Sequence, residues 1–223
     1  MPSLSDRPSH PDLPLFRDVS THADLATLPD LPELPTLPDL IAATHSPEAA
    51  TAFASCTLPR ASRAVLATVG LDLMLGFPPV PRACCAMSAL YAVALRSAVA
   101  EPAYLVAGKL YADGARVFGE AGSCGDEVMP FLRDDLDWDG HMWVAIGDYL
   151  ADITLIVTAR SPGAAYELEA LVSREFAADS RLMIAKAADI RSLGLEYHPE
   201  YVLTPEEVDA LARGAEAWLP HRE

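Results

Sequence analysis

The spacing of apolar positions changes along the chain, from a helical period in its first half to an alternating period in its middle. Ser46-Pro47-Glu48 has the composition of a helix start, with proline at the first helical position. A second helix is predicted from near Pro59. The stretch ACCAMSALYAVALRSA at 83–98 is rich in Ala and Leu and contains no Gly or Pro. It predicts a long buried helix after the break that PPVP makes at 78–81.

Strands are predicted next. The segment AYLVAGKLYADGARVFG at 103–119 has the pattern of two strands joined around Asp113-Gly114. Residues 119–140 have the pattern of a loop with at most one short helix. DGHMWVAIGDYLADITL at 139–155 then predicts a half-buried hairpin, with residues 153–158 prolonging its second strand.

The C-terminal third returns to helices. Ser161-Pro162 predicts a helix that runs to about Phe176, and residues 182–187 predict a further strand. Thr204-Pro205-Glu206-Glu207 is a capping box, which predicts a last helix ending at Trp218. The order of helices, hairpins and helices predicts an α+β fold, with one antiparallel sheet and a long helix packed on it.

The first 45 residues differ in composition from the rest. LPDLPELPTLPDL repeats Leu-Pro with a period of three, which is the number of residues per turn in a polyproline II helix. We expect a Pro/Leu-rich extended arm over residues 1–45 that packs along the domain surface; a tail that binds a partner or covers a site is the alternative. Residues 46–223 are expected to form a single domain.

Charge and composition exclude several classes of function. The net charge of −16 disfavours nucleic acid and anionic lipid as partners. No apolar run reaches the length of a membrane span, and the first residues lack the order of a secretory signal. A cytoplasmic location is therefore expected. No CxxC or HxxxH spacing is present, so we expect no metal and no cofactor.

A histidine and an aspartate fall on one face of the second hairpin. If Gly147-Asp148 forms a two-residue turn, His141 and Asp152 are diagonal neighbours on adjacent strands. A carboxylate at that separation can reach an imidazole nitrogen, fix its tautomer and stabilise its charge. This pair predicts the base and its orienting group in a nucleophilic triad.

A thiol completes the predicted triad. Cys84 and Cys85 lie in the first turn of the helix at 83–98, where the helix dipole favours a thiolate. Cys84 lies on the stripe of Met87, Tyr91 and Leu95, which should face the sheet. We therefore prefer Cys84 as the nucleophile and keep Cys85 as the alternative.

These motifs resemble those of the transglutaminase-like cysteine enzymes, which have a papain-like fold. The resemblance rests on the order of the Cys84/Cys85 pair, VAG at 106–108, His141-Met142-Trp143-Val144 and Asp152-Ile153-Thr154. The short distance from His to Asp is similar to that in bacterial leader-peptide proteases of lasso-peptide pathways. The resemblance covers about residues 80–158, the expected core of the domain. It implies a central helix that carries the cysteine and packs on an antiparallel sheet, with additional N- and C-terminal helices.

The resemblance also implies a function. A bacterial cysteine-dependent acyl-transfer enzyme (a peptidase, an amidase or a transglutaminase-like enzyme) would use Cys84, His141 and Asp152 on a peptide or protein substrate. The chain has no Gln and no Asn, so a papain-type oxyanion glutamine is excluded. The backbone N–H of Cys84 would act with a second donor, for which the candidates are Trp143, Ser88 and Tyr91. A non-catalytic binding protein on the same fold is the alternative.

Overall fold

A six-stranded antiparallel sheet forms the centre of the computed structural model, which describes residues 35–76, 84–119 and 140–218, with side chains up to residue 215. The strands are β1 (Ala103–Ala112), β2 (Ala115–Phe118), β3 (His141–Ile146), β4 (Tyr149–Asp152), β5 (Met183–Lys186) and β6 (Leu195–Val202). The helices are α1 (Leu37–Thr44), α2 (Pro47–Ser55), α3 (Arg60–Gly76), α4 (Cys84–Ala98), α5 (Leu155–Ala159), α6 (Tyr166–Glu175) and α7 (Pro205–Trp218), with a 3₁₀ helix at Ala187–Leu193.

β1 is the central strand, and its two edges are occupied differently. β6 pairs with one edge from Val106 to Ala112. The opposite edge is shared by two strands, because β3 pairs with residues 103–108 and β2 pairs with residues 110–112. β4 and β5 then extend the sheet beyond β3. The end of β2 and the start of β3 therefore meet at the same place on β1.

Helices cover both faces of this sheet. Alternate strand residues such as Ala107, Met142 and Val144 pack with α3, α4 and α7. The intervening residues, among them Val106 and Trp143, pack with α1, α2, α5 and α6. Because both faces exclude water, all residues of β3 and β4 are buried. Both strands of the hairpin are therefore buried, and the expectation of a half-buried hairpin was wrong.

Most of the predicted elements are present where the local signals placed them. Ser46 caps α2 by accepting a hydrogen bond from the backbone N–H of Ala49 at 3.1 Å. The capping box of α7 is formed in both directions, since Thr204 N–H donates to Glu207 and Glu207 N–H donates to the Thr204 hydroxyl. Both predicted turns, Asp113-Gly114 and Gly147-Asp148, join the expected strand pairs. The combination of helices with an antiparallel sheet is confirmed.

Three predicted boundaries were wrong. The extended arm does not reach residue 45, because Thr36 and Asp39 form a capping box that starts α1. Residues 153–158 do not prolong β4; the chain turns at Asp152, whose side chain accepts the first N–H groups of α5. α6 begins at Tyr166 and not at Ser161-Pro162, because Gly163 adopts φ +84° and ends a turn there.

β6 and the 3₁₀ helix before it were not predicted. The predicted arm over residues 1–34, the PPVP break and the loop over 120–139 lie outside the described residues. Within the ranges that the structure describes, no helix combines the length and the hydropathy that crossing a bilayer requires.

Candidate functional site

The β3–β4 hairpin brings His141 and Asp152 together. Its two-residue turn sets the register, with Ile146 opposite Tyr149 and Val144 opposite Ala151. Continued by one residue pair, this register puts Trp143 opposite Asp152, so His141 is the diagonal neighbour of Asp152. His141 Nε2 lies 2.5 Å from Asp152 Oδ2, and neither side chain is exposed to solvent. The predicted contact between imidazole and carboxylate is therefore present, deep inside the domain.

Donors surround the carboxylate of Asp152. Its Oδ1 accepts hydrogen bonds from the backbone N–H of Thr154 at 3.0 Å, from the Thr154 hydroxyl at 3.1 Å and from the backbone N–H of Leu155 at 2.9 Å. Its Oδ2 accepts the Tyr197 hydroxyl at 2.8 Å, in addition to His141. Burial raises the pKa of Asp152, but the charge of His141 and these hydrogen bonds lower it further than burial raises it. Asp152 is therefore a buried anion.

Aromatic rings pack against the imidazole of His141. Phe118, at the end of β2, stacks on it with a centroid separation of 5.0 Å and an interplanar angle of 20°. Trp143 is nearly parallel to it at 6.4 Å. Burial lowers the pKa of His141, but the charge and hydrogen bond of Asp152, together with Cys84, raise it to about 10. The ring is therefore an imidazolium at neutral pH.

Only one nitrogen of this ring is engaged by the carboxylate. Nδ1 is buried and makes no hydrogen bond of ordinary length and angle to the part of the chain that the structure describes. Cys84 nevertheless lies close enough for its thiolate to raise the pKa of the ring. Because Nε2 faces Asp152, Nδ1 is the nitrogen available to exchange a proton at the thiol.

α4 delivers Cys84 to this place. Cys84 is the first residue of the helix, and one turn later the Ser88 hydroxyl donates to the carbonyl oxygen of Met142 at 3.1 Å. Met142 follows His141 in β3, so this hydrogen bond fixes the start of α4 at the start of β3. Cys84 is partly exposed, whereas His141 and Asp152 are fully buried. Cys84 is therefore the one residue of the three that is partly exposed.

Cys84 is the more acidic of the two adjacent thiols. The hydrogen bond between Cys84 and Cys85 lowers the pKa of Cys84, burial raises it, and the hydrogen bonding and charge of His141 lower it again, to about 5. The hydrogen bond to Cys84 and burial raise the pKa of Cys85 well above its ordinary value. At neutral pH Cys84 is a thiolate and Cys85 is a thiol, which supports the preference for Cys84 as the nucleophile.

The three side chains predicted as oxyanion donors are used differently. Ser88 donates its hydroxyl proton to Met142, as above, and Tyr91 donates its own to the carbonyl oxygen of Leu66 at 3.0 Å. Each has a single hydroxyl proton, so neither donates to an oxyanion in this structure. Trp143 packs edge-on against Tyr197 with ring centroids 5.0 Å apart. The backbone N–H groups in the first turn of α4 have no partner within the helix, so they are further candidate donors to an oxyanion at Cys84.

Sequence reasoning missed Tyr197 and Phe118. Tyr197 lies on β6, opposite Leu110 of β1, and its hydroxyl reaches Asp152 from a strand 45 residues further along the chain. Phe118 reaches His141 because β2 and β3 meet on β1. No local signal marks either residue, although the apolar alternation of LEYHPEYV at 195–202 could have identified the strand.

The described residues hold no group of three or more His, Cys, Asp or Glu side chains arranged to bind a metal ion. A scan against protein-family models found no match, and neither did searches of the curated proteins and of the solved structures.

Proposed function

We propose that the protein is a cysteine-dependent acyl-transfer enzyme with Cys84 as the nucleophile, His141 as the general acid and base, and Asp152 as the orienting group. One observation carries this proposal: the low-pKa thiol of a partly exposed residue lies against a buried imidazolium that a buried carboxylate stabilises. At neutral pH this arrangement provides a nucleophile, the Cys84 thiolate, next to a proton donor, the His141 imidazolium.

Acylation would use both members of the ion pair. The Cys84 thiolate attacks the carbonyl carbon of an amide, ester or thioester, and the first turn of α4 supplies N–H groups near the developing oxyanion. When the tetrahedral intermediate collapses, the bond from carbon to the leaving group breaks. His141 gives its Nδ1 proton to that group, and Cys84 is left as a thioester.

Deacylation would use the same groups in reverse. Neutral His141 takes a proton at Nδ1 from water or from an acceptor amine, which attacks the thioester carbonyl. Collapse of the second intermediate releases the Cys84 thiolate, and the ion pair is restored. Asp152 stays ionised throughout, because it accepts hydrogen bonds from five donors counting the imidazole.

The arrangement of elements supports a transglutaminase-like, papain-like cysteine enzyme. The cysteine starts a helix that packs on an antiparallel sheet, and the histidine and aspartate follow it in the chain on neighbouring strands. We propose a peptide or protein as the substrate, since amide carbonyls are the targets of such enzymes. We also propose that the protein acts in the cytoplasm.

Alkylation of each cysteine as a function of pH tests the proposal. Iodoacetamide labelling, read by peptide mass spectrometry, should show Cys84 reacting with a midpoint near pH 5. Cys56 is the internal control, because burial and the nearby carboxylates Glu101 and Asp148 raise its pKa. His141→Ala should move the midpoint of Cys84 upward. Equal reactivity of Cys84 and Cys56 at neutral pH would contradict the assignment.

Acyl transfer itself needs a second measurement. An activated acyl donor such as p-nitrophenyl acetate should acetylate Cys84 in a burst, followed by slow turnover. Cys85→Ala should keep the burst, and Cys84→Ala should lose it. A reactive thiolate that forms no acyl adduct would favour a binding protein that has kept the scaffold.

A further inference from the structure

The two adjacent cysteines at the start of α4 differ in environment but are in contact. Their Sγ atoms are 3.9 Å apart, which is within hydrogen-bonding distance for sulfur. Cys84 is partly exposed, whereas Cys85 is 6% exposed and belongs to the apolar cluster beneath α4. The proposed function uses only Cys84 and leaves the buried thiol without a role.

The covalent geometry separates this pair from a disulfide. Consecutive Cα atoms across a trans peptide are about 3.8 Å apart, whereas disulfides usually need about 4.4 to 6.8 Å. Both residues lie in a regular helix, and both are free thiols. The contact is therefore a non-covalent one, in which one sulfur can donate to the other.

We propose that Cys85 is a positioning residue that donates its S–H to the Cys84 thiolate and so keeps the nucleophile ionised. The donor direction follows from the surroundings. Cys85 lies among apolar side chains, where an anion is unfavourable, whereas Cys84 faces the imidazolium of His141. The catalytic meaning of this role depends on the proposed function, but the state of the thiolate can be measured without any substrate.

Among the residues that the structure describes, three groups act on the Cys84 sulfur. On α4 it meets Cys85, and from the sheet it meets His141 with Asp152 behind it. The imidazolium lowers the pKa of Cys84 and the carboxylate opposes it. Cys85 therefore supplies a second donor from the helix side.

Two substitutions of Cys85 separate hydrogen bonding from packing. Cys85→Ala removes the donor, whereas Cys85→Ser keeps a donor of nearly the same size. The measurement is the pH midpoint of Cys84 alkylation by iodoacetamide in the full-length protein, with folding checked by circular dichroism. We expect the midpoint to rise by about one pH unit in Cys85→Ala, the scale expected for losing one weak hydrogen bond to an anion. In Cys85→Ser it should stay at or below the wild-type value.

The outcomes are distinct from those that test the proposed function. An unchanged midpoint in Cys85→Ala would overturn the role of Cys85 even if His141→Ala still shifts it. Equal shifts in Cys85→Ala and Cys85→Ser would also overturn it, because they would reflect packing. If Cys85→Ala does not fold, a midpoint in Cys85→Ser above the wild-type value would overturn the proposal, because serine keeps the donor. An ordinary midpoint in the wild-type protein, insensitive to His141→Ala, would contradict both the role of Cys85 and the acyl-transfer proposal.

Discussion

Replacing Asp152 by Asn changes one charge in the site and keeps the shape of the side chain. Three donors from Thr154 and Leu155 converge on Oδ1, so the amide oxygen should take that position. The amide nitrogen then replaces Oδ2 and points a hydrogen at Nε2 of His141. Nε2 can accept only in a neutral imidazole that carries its proton on Nδ1. Such a ring cannot take a proton from Cys84.

Two electrostatic effects oppose each other in this variant. The charge of Asp152 by itself raises the pKa of Cys84, so removing it alone would favour the thiolate. The imidazolium of His141 lowers that pKa more strongly, and it depends on Asp152. Losing a hydrogen bond to a charged group costs about 1.5–3 kcal/mol, which corresponds to a rise of about one to two units in the pKa of Cys84.

The assay is the rate of Cys84 alkylation near pH 5, where about half of the wild-type thiol is ionised. The rise in pKa predicts a rate about fivefold to fiftyfold lower in Asp152→Asn. The difference should vanish at pH values where Cys84 is ionised in both the wild-type and the variant protein. Asp148→Asn is the matched control. It makes the same chemical change at the turn of the same hairpin, where Asp148 accepts the backbone N–H of Leu58 at 2.9 Å. A folded Asp152→Asn protein that labels as fast as wild type, or faster, would refute the reasoning.

Three further predictions concern stability. Tyr197→Phe removes one donor from the buried anion of Asp152, so the free energy of unfolding should fall by about 1.5–3 kcal/mol; an unchanged urea midpoint would contradict this. Gly108→Ala should lower the free energy of unfolding by about 1–3 kcal/mol, because the added Cβ would overlap the carbonyl oxygen of His198. An unchanged thermal stability would contradict this and would show that β6 can move away from β1. Gly214→Ala should raise the free energy of unfolding by about 0.4–1 kcal/mol, because it lies at an exposed helix position where the added Cβ meets no atom within 4 Å. Chemical denaturation of both glycine variants should show opposite changes in stability.

The contact between His141 and Asp152 could be predicted because a short local signal determines it. A two-residue turn at Gly147-Asp148 fixes the register of both strands, and the register alone makes the two residues neighbours. The N-termini of α2 and α7 were predictable for the same reason, since each capping side chain lies within four residues of the backbone N–H that it accepts.

The rest of the site depends on pairing between distant segments. β6 pairs with β1, about 90 residues earlier in the chain, and Pro199 within it argues against a strand. In the structure Pro199 lies opposite Gly108, where the register shifts between Ala107 and Gly108. Because the strand pairing is irregular there, the sheet can accommodate Pro199, which has no backbone N–H to donate. Tyr197 and its hydrogen bond to Asp152 therefore follow from a tertiary arrangement that no local pattern encodes.

The carboxylate of Asp152 begins α5 with one oxygen and orients His141 with the other. The same atoms that would serve catalysis therefore also decide where the chain leaves the sheet. Under the proposed function, selection would act on this residue twice, through the chemistry and through the path of the chain. A lineage that no longer needed the chemistry could discard Cys84 at little structural cost, but it would keep an aspartate, or a residue that accepts the same N–H groups, at position 152. Among inactive descendants, the orienting residue should therefore outlast the nucleophile.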